Sequence, residues 1–204
     1  MIICMCDIIC ITNRLLCNEN FESRIEKISQ AGPKAIILRE KDLSACEYRI
    51  LAEKVMKICR EYGVHCILHY FWYIASELGC MSVHLPLSQL RTLSTSQREM
   101  FTSLGCSCHC TEDASEAGNM GCSYIIAGHI FKTDCKKDIM PRGADFLKNV
   151  CCEVSIPVYA IGGINEDNIS QLSDTGARGV CLMSSLMTCP NPYEYIRALK
   201  NQWK

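Results

Sequence analysis

Four short stretches of this chain carry the residue types that could do chemistry. In YIIAGHIFKTDCKK (Tyr124–Lys137) an apolar run ends at Gly128, and His129 follows with cations close behind. An imidazole titrates near neutral pH, so His129 suits the movement of a proton on a bound substrate. IGGIN (Ile161–Asn165) sets Gly162 and Gly163 against an expected helix start, and MSSL (Met183–Leu186) repeats the arrangement with Ser184 and Ser185. Backbone N–H groups at such turns favour an anion. ILREK (Ile37–Lys41) supplies Arg39 and Lys41, which could meet a second anionic group, as could Lys136 and Lys137. Each stretch also has a plain reading: a tight turn, a strand-end histidine bonded to a neighbour, or solvated lysines.

Eight apolar runs are available to position these residues. They are Ile8–Thr12, Ala35–Arg39, His65–His69, Ser82–Leu85, Cys106–Cys110, Tyr124–Ala127, Val158–Ile161 and Val180–Met183. All are rich in Ile, Val, Cys and Leu without strict alternation, as expected of strands buried on both faces. Helical stretches lie between them. In Leu43–Gly63 the residues Leu51, Val55 and Ile58 share one face, and Gly63 closes the helix. Helix starts are expected at Asn20, at Thr111 with Glu112 and Asp113, and at Asn165 with Glu166 and Asp167. The weakest expected helix is FWYIASELG, between strands 3 and 4.

Eight βα units in 204 residues are the size of a minimal α/β (β/α)8 TIM barrel, expected to be a single domain over residues 1–204. A doubly wound open sheet is the alternative. In a barrel the active site lies where strands meet the following helices. The strand ends then gather Thr12 and Asn13; Arg39, Glu40 and Lys41; His69; His84 to Pro86; Ser107 and His109; Gly128 and His129; Gly162 and Gly163; Ser184 and Ser185. Loops after strands 7 and 8 often bind phosphate, which is where both turn motifs fall. His69, His84 and His109 compete with His129 for the proton-transfer role.

A net charge of −1 gives no nucleic-acid footprint, and no apolar run approaches the ~18 residues that span a bilayer. The 17 cysteines sit mostly in hydrophobic segments, where Cys acts as a small apolar residue. Cys4-x-Cys6 and Cys106-x-Cys108-His109-Cys110 are too tight for a zinc ribbon, so no metal is expected. A reducing cytoplasm accommodates so many thiols, and a barrel of this size could pair as a homodimer.

Taken together, ILREK, GCSCH (Gly105–His109), AGHIFKTDCKK (Ala127–Lys137), YAIGGI (Tyr159–Ile164) and VCLMSSL (Val180–Leu186) resemble the thiamine phosphate synthase/TenI superfamily. The resemblance covers nearly the whole chain and implies a (β/α)8 barrel that handles a thiazole phosphate. Its synthase branch joins that phosphate to a hydroxymethylpyrimidine diphosphate with Mg2+, releasing pyrophosphate. That pattern has Asn-Asp after strand 3 and an aspartate in Gly-Gln-x-Asp after strand 4. Here His69-Tyr70 and Pro86-Leu87-Ser88 stand in those places, without the carboxylate oxygens that Mg2+ requires. Arg39, Lys41, Ser107 and Lys136 match anion-binding positions. Gly128-His129 replaces the synthase's Gly-Pro, as in the TenI-type tautomerases. The resemblance therefore implies a cofactor-free isomerase in which His129 moves a proton to aromatise a carboxythiazole phosphate. The Gly162–Gly163 and Ser184–Ser185 loops would hold the phosphate, and Arg39 or Lys136 the carboxylate. The alternatives are thiamine phosphate synthase, a non-catalytic thiazole-phosphate sensor, and an isomerase of another phosphorylated heterocycle.

Overall fold

Every apolar run becomes a parallel strand. The computed structural model describes residues 6–133 and 139–203, and its strands are β1 (Asp7–Ile11), β2 (Ala35–Leu38), β3 (His65–His69), β4 (Ser82–Pro86), β5 (Ser103–Cys108), β6 (Tyr124–Gly128), β7 (Val158–Ile161) and β8 (Gly179–Leu182). They pair in sequence order, and β8 returns to β1, so the barrel is closed. Closure leaves no edge strand, which rules out the open sheet.

Two-residue alternation divides each strand between two apolar layers. Ile9, Ile37, Ile67, Ile126 and Cys181 fill the barrel interior. Their neighbours Ile8, Ile36, Leu68, Ile125 and Val180 face the surrounding helices. Those helices are α1 (Phe21–Gln30), α2 (Ala45–Glu61), α3 (Trp72–Glu77), α4 (Leu87–Leu90), α5 (Thr95–Glu99), α6 (Thr111–Asn119), α7 (Gly143–Glu153), α8 (Ser184–Thr188) and α9 (Pro192–Gln202), with 3-10 turns at Arg14–Leu16 and Ile169–Thr175.

Local chemistry accounts for most helix ends. Asn20 caps α1 by accepting from the Ser23 N–H. At α2, Ser44 and Glu47 form a capping box, each side chain bonded to the other's backbone N–H. Two expectations are corrected. The fifth strand runs Ser103–Cys108, so His109 and Cys110 lie beyond it, and the Cys110 thiol caps α6 in place of Thr111. No α-helix starts at Asn165. There the Asn165 side chain accepts from the Asp167 N–H and the Asn168 side chain from the Asn165 N–H, and the 3-10 turn begins only at Ile169. These side-chain bonds offer the backbone an alternative to helix. The segment after β4 is broken into α4 and α5 by a second capping box at Ser94.

Cysteines in the described residues are free thiols, and most of those in the strands, such as Cys10 and Cys181, are buried. Burial in the apolar layers pushes both thiols well up from their ordinary value, so they behave as small hydrophobic groups. Among the described residues no helix is long and apolar enough to cross a membrane.

Candidate active site at the barrel mouth

The carboxyl ends of the strands bring the sequence-predicted residues onto one rim. Over β1 and β2 the organising group is Glu40, only 2% exposed. Its carboxylate accepts from the Thr12 hydroxyl at 2.6 Å and from the Arg14 N–H at 3.1 Å, and Arg14 also forms a bidentate pair with Asp42. Thr12 in turn accepts from the Arg39 N–H at 2.9 Å. Glu40 stands between Arg39 and Lys41 in sequence, yet its oxygens are taken up by Thr12 and Arg14. Half-buried Arg39 therefore keeps a guanidinium with no carboxylate partner among the described residues, and Lys41 is exposed beside it. The guanidinium fork is suited to a phosphoryl or carboxylate group.

His69 ends β3 and His84 lies in β4, their rings stacked at 6.0 Å. Burial, then the neighbouring His84, Arg39 and Lys41, push the His69 imidazole down to about 2. Burial holds His84 at about 3. Both rings are thus neutral at physiological pH. Arg39 and Lys41 follow β2, the strand that pairs with β3. His84 bonds Ser107 of β5 through Nε2 at 2.8 Å and the Tyr124 phenol of β6 through Nδ1 at 3.1 Å.

His129 follows β6 and is 4% exposed. Its Nε2 lies 3.2 Å from the Ile139 carbonyl, which only accepts, so that nitrogen carries the hydrogen. The backbone on either side is tied down as well: Ile130 donates to Ile161 and Arg142 to the His129 carbonyl. His109 is exposed, and its Nδ1 contacts the Gly128 carbonyl.

After β7, Gly162 and Gly163 take φ of +102° and +66°, a region that L side chains rarely adopt. A Cβ on Gly162 would lie 2.3 Å from the His129 Cβ, and one on Gly163 2.3 Å from the Lys132 carbonyl. Both glycines are therefore required by the close approach of the His129–Lys132 segment, and their cup is a loop rather than a helix start. After β8, Ser184 and Ser185 open α8, whose first turn has no side-chain cap. Ser185 is already hydrogen-bonded to the Tyr195 phenol, so the first-turn N–H groups and the Ser184 hydroxyl are the groups left to meet an anion. Lys136 lies outside the described residues.

In the sequence Thr12 and Glu40 stand at strand ends without a task, His84 stands only as a competitor for proton transfer, and Arg14 and Tyr124 were missed. Tyr124 could have been found by its position: it faces Gly105 across the β5–β6 ladder, and a glycine in a strand marks close approach.

A Mg2+ site does not fit the ends of β3 and β4. The donors there are a buried neutral imidazole (His69), an exposed phenol (Tyr70), Pro86, and buried Leu87 where α4 begins. No carboxylate stands among them, and Mg2+ takes hard oxygen ligands. Among the described residues, no group of three His, Cys, Asp or Glu could hold a metal ion.

Residues 8–186 match the family model described as thiamine monophosphate synthase. The chain is 33% identical to the thiamine-phosphate synthase of Fusobacterium nucleatum, over 96% of this chain and 97% of that one. It is 30% identical to the thiamine-phosphate synthase of Syntrophomonas wolfei, over 95% and 94% of the two chains. Among solved structures, thiamine phosphate pyrophosphorylase from Pyrococcus furiosus superposes with a TM-score of 0.82 at 25% identity, covering 96% of this chain and 94% of that one. The chain belongs to the thiamine monophosphate synthase family, a family of thiamin biosynthesis. These relatives overturn the isomerase expectation: they are named as synthases, which are transferases, and they do not single out the TenI-type tautomerase branch. The Gly-His pair at 128–129 was a local signal, and the whole-chain match outweighs it.

Proposed function

With family membership as the premise, we propose that this chain is a thiamine-phosphate synthase-type transferase. It joins a thiazole phosphate to a hydroxymethylpyrimidine diphosphate at the barrel mouth. The ring nitrogen of the thiazole attacks the methylene carbon of the pyrimidine. A C–N bond forms, the C–O bond breaks, and pyrophosphate leaves with the electron pair. The whole-length similarity to proteins named as synthases carries this reading.

The rim supplies what the reaction needs at two places. Gly162, Gly163, Ser184 and Ser185 receive the thiazole phosphate, as loops after strands 7 and 8 do in many barrels. Arg39 and Lys41 receive the diphosphate, with Ser107 as a hydroxyl partner and Lys136 as a further cation. These cations meet charge that grows on the departing oxygen, which is where preorganised electrostatics lowers a barrier most. β8 and β2 are separated only by β1. Two interstrand steps set the anion sites on the order of 10 Å apart, a span that two small substrates can share. Neutral His69 and His84 add no charge between them. His129, bonded to Ile139, anchors the segment that closes over the glycine cup.

Mass spectrometry of the two substrates incubated with the protein tests the reading. Thiamine phosphate is expected at enzyme-dependent rates, and Arg39→Ala should lower kcat/KM by about 100-fold, the loss of one charge-assisted contact. No thiamine phosphate from the folded wild-type protein would refute it.

A further inference from the structure

Inside the barrel, three neighbouring strands present His84, Gly105 and Tyr124 in direct register. The glycine between them is what lets the outer two meet. A Cβ at Gly105 would lie 2.1 Å from the Tyr124 ring and 2.4 Å from its hydroxyl, so the phenol occupies the space that a β5 side chain would fill. From there Tyr124 Oη reaches His84 Nδ1 at 3.1 Å, and His84 Nε2 reaches Ser107 Oγ at 2.8 Å. Ser107 is two residues further along β5 and half-buried at the mouth. The chain of bonds thus climbs from the interior to the site.

Its direction follows from counting hydrogens. Tyr124 is buried, and His84 is the hydrogen-bond partner of its hydroxyl among the described residues. If the phenol accepted from His84, its own hydrogen would be buried without an acceptor, which is expensive. The phenol therefore donates to Nδ1. A neutral imidazole with Nδ1 accepting carries its hydrogen on Nε2, which donates to Ser107 Oγ. Burial holds the Tyr124 hydroxyl and the neutral His84 ring in these protonation states.

We propose that Tyr124 and His84 are positioning residues that turn the Ser107 hydroxyl into a one-way hydrogen-bond donor. Because Ser107 Oγ already accepts from His84, its own hydrogen is left to point at an acceptor, such as a phosphoryl oxygen. The inference deepens the reading above and rests on it for the identity of the anion. Gly105 belongs to the same device, because only a residue without a side chain leaves room for the phenol.

The test combines a spectrum with a binding cycle. Nitrogen-15 NMR of histidine-labelled protein, with His84 assigned by its loss in His84→Gln, should show Nδ1 unprotonated and Nε2 protonated. The opposite tautomer would overturn the proposal without reference to any ligand. Binding of inorganic pyrophosphate, followed by calorimetry, should weaken by about tenfold in Ser107→Ala, the loss of a bond to a charged acceptor. Tyr124→Phe should weaken it measurably on its own and have no further effect in the Ser107→Ala background, because the two act through one contact. Equal effects of Tyr124→Phe in both backgrounds would show a merely structural role and sink the relay. If pyrophosphate binds but Ser107→Ala leaves its affinity unchanged, Ser107 donates to no anion and the proposal fails. No binding of pyrophosphate by the wild type would instead count against the transferase reading, while the tautomer would still decide the relay's direction.

Discussion

The two halves of the rim are built on opposite principles. Over β1 and β2 the groups are ionised: Glu40, Arg14 and Asp42 form a charged knot, and Arg39 and Lys41 stand beside it. Over β4 to β6 the groups are neutral: Tyr124, His84 and Ser107 pass hydrogen bonds along a line. The charged half consumes its carboxylates internally and so leaves a cationic face for a ligand. The neutral half orients a hydroxyl without adding charge. On the proposed transferase reading, one side attracts an anion and the other fixes how it sits.

Removing Glu40 should break the charged half most severely. Glu40→Ala leaves the Thr12 hydroxyl and the Arg14 N–H without their acceptor in a buried setting. A loss of about 3–5 kcal/mol in a urea unfolding experiment is expected, as for other buried charged partners. A loss below about 1 kcal/mol would mean that water replaces the carboxylate readily.

In the neutral half the largest effect should come from Gly105→Ala. The new methyl group collides with the Tyr124 ring, and overpacking of this kind costs about 1–3 kcal/mol. The same variant should lose the His84 tautomer seen by NMR, which separates a displaced phenol from general loosening.

Acid should distinguish the halves by their protons. His69 and His84 have imidazoles held far below their ordinary value, to about 2 and about 3. The unfolded chain binds protons at these sites below about pH 6.5, and the folded chain does not until far lower pH. Stability supplied by the neutral rings is complete above about pH 6.5 and is lost as pH falls below it. Each ring can contribute a slope of up to about 1.4 kcal/mol per pH unit. Unfolding free energies measured from pH 7 to 4.5 should therefore fall less steeply in His69→Gln than in the wild type. Parallel slopes would show that His69 is solvated or paired.

The smallest effect on stability should follow Arg39→Ala. Its guanidinium has no carboxylate partner among the described residues, so the thermal midpoint should stay close to that of the wild type while pyrophosphate affinity drops. A large fall in the midpoint would make Arg39 structural instead.

Much of the barrel was legible in the sequence because buried parallel strands announce themselves as unbroken apolar runs. His65–His69 and Val158–Ile161 end where the composition changes. Cys106–Cys110 was misplaced because Gly105 and Ser103 look like turn residues, whereas Gly105 serves a contact with another strand. Asn165 looked like a helix cap, but its side chain closes a turn instead. The strand-end residues were legible as a set, since strand order alone puts them on one rim. Their partners were not: the Glu40–Arg14 and His84–Tyr124 contacts join residues 26 and 40 positions apart. A single histidine after β6 read as a catalyst, while the similarity spread over the whole chain points to a transferase.

The central claim is that the cationic face over β2 receives a diphosphate that departs during the reaction. The most direct measurement is the release of inorganic pyrophosphate from hydroxymethylpyrimidine diphosphate, with and without thiazole phosphate, in wild type and Arg39→Ala. Release that requires both substrates, equals the thiamine phosphate formed and collapses in Arg39→Ala is the predicted result. Folded wild-type protein that binds both substrates yet releases no pyrophosphate would contradict the account.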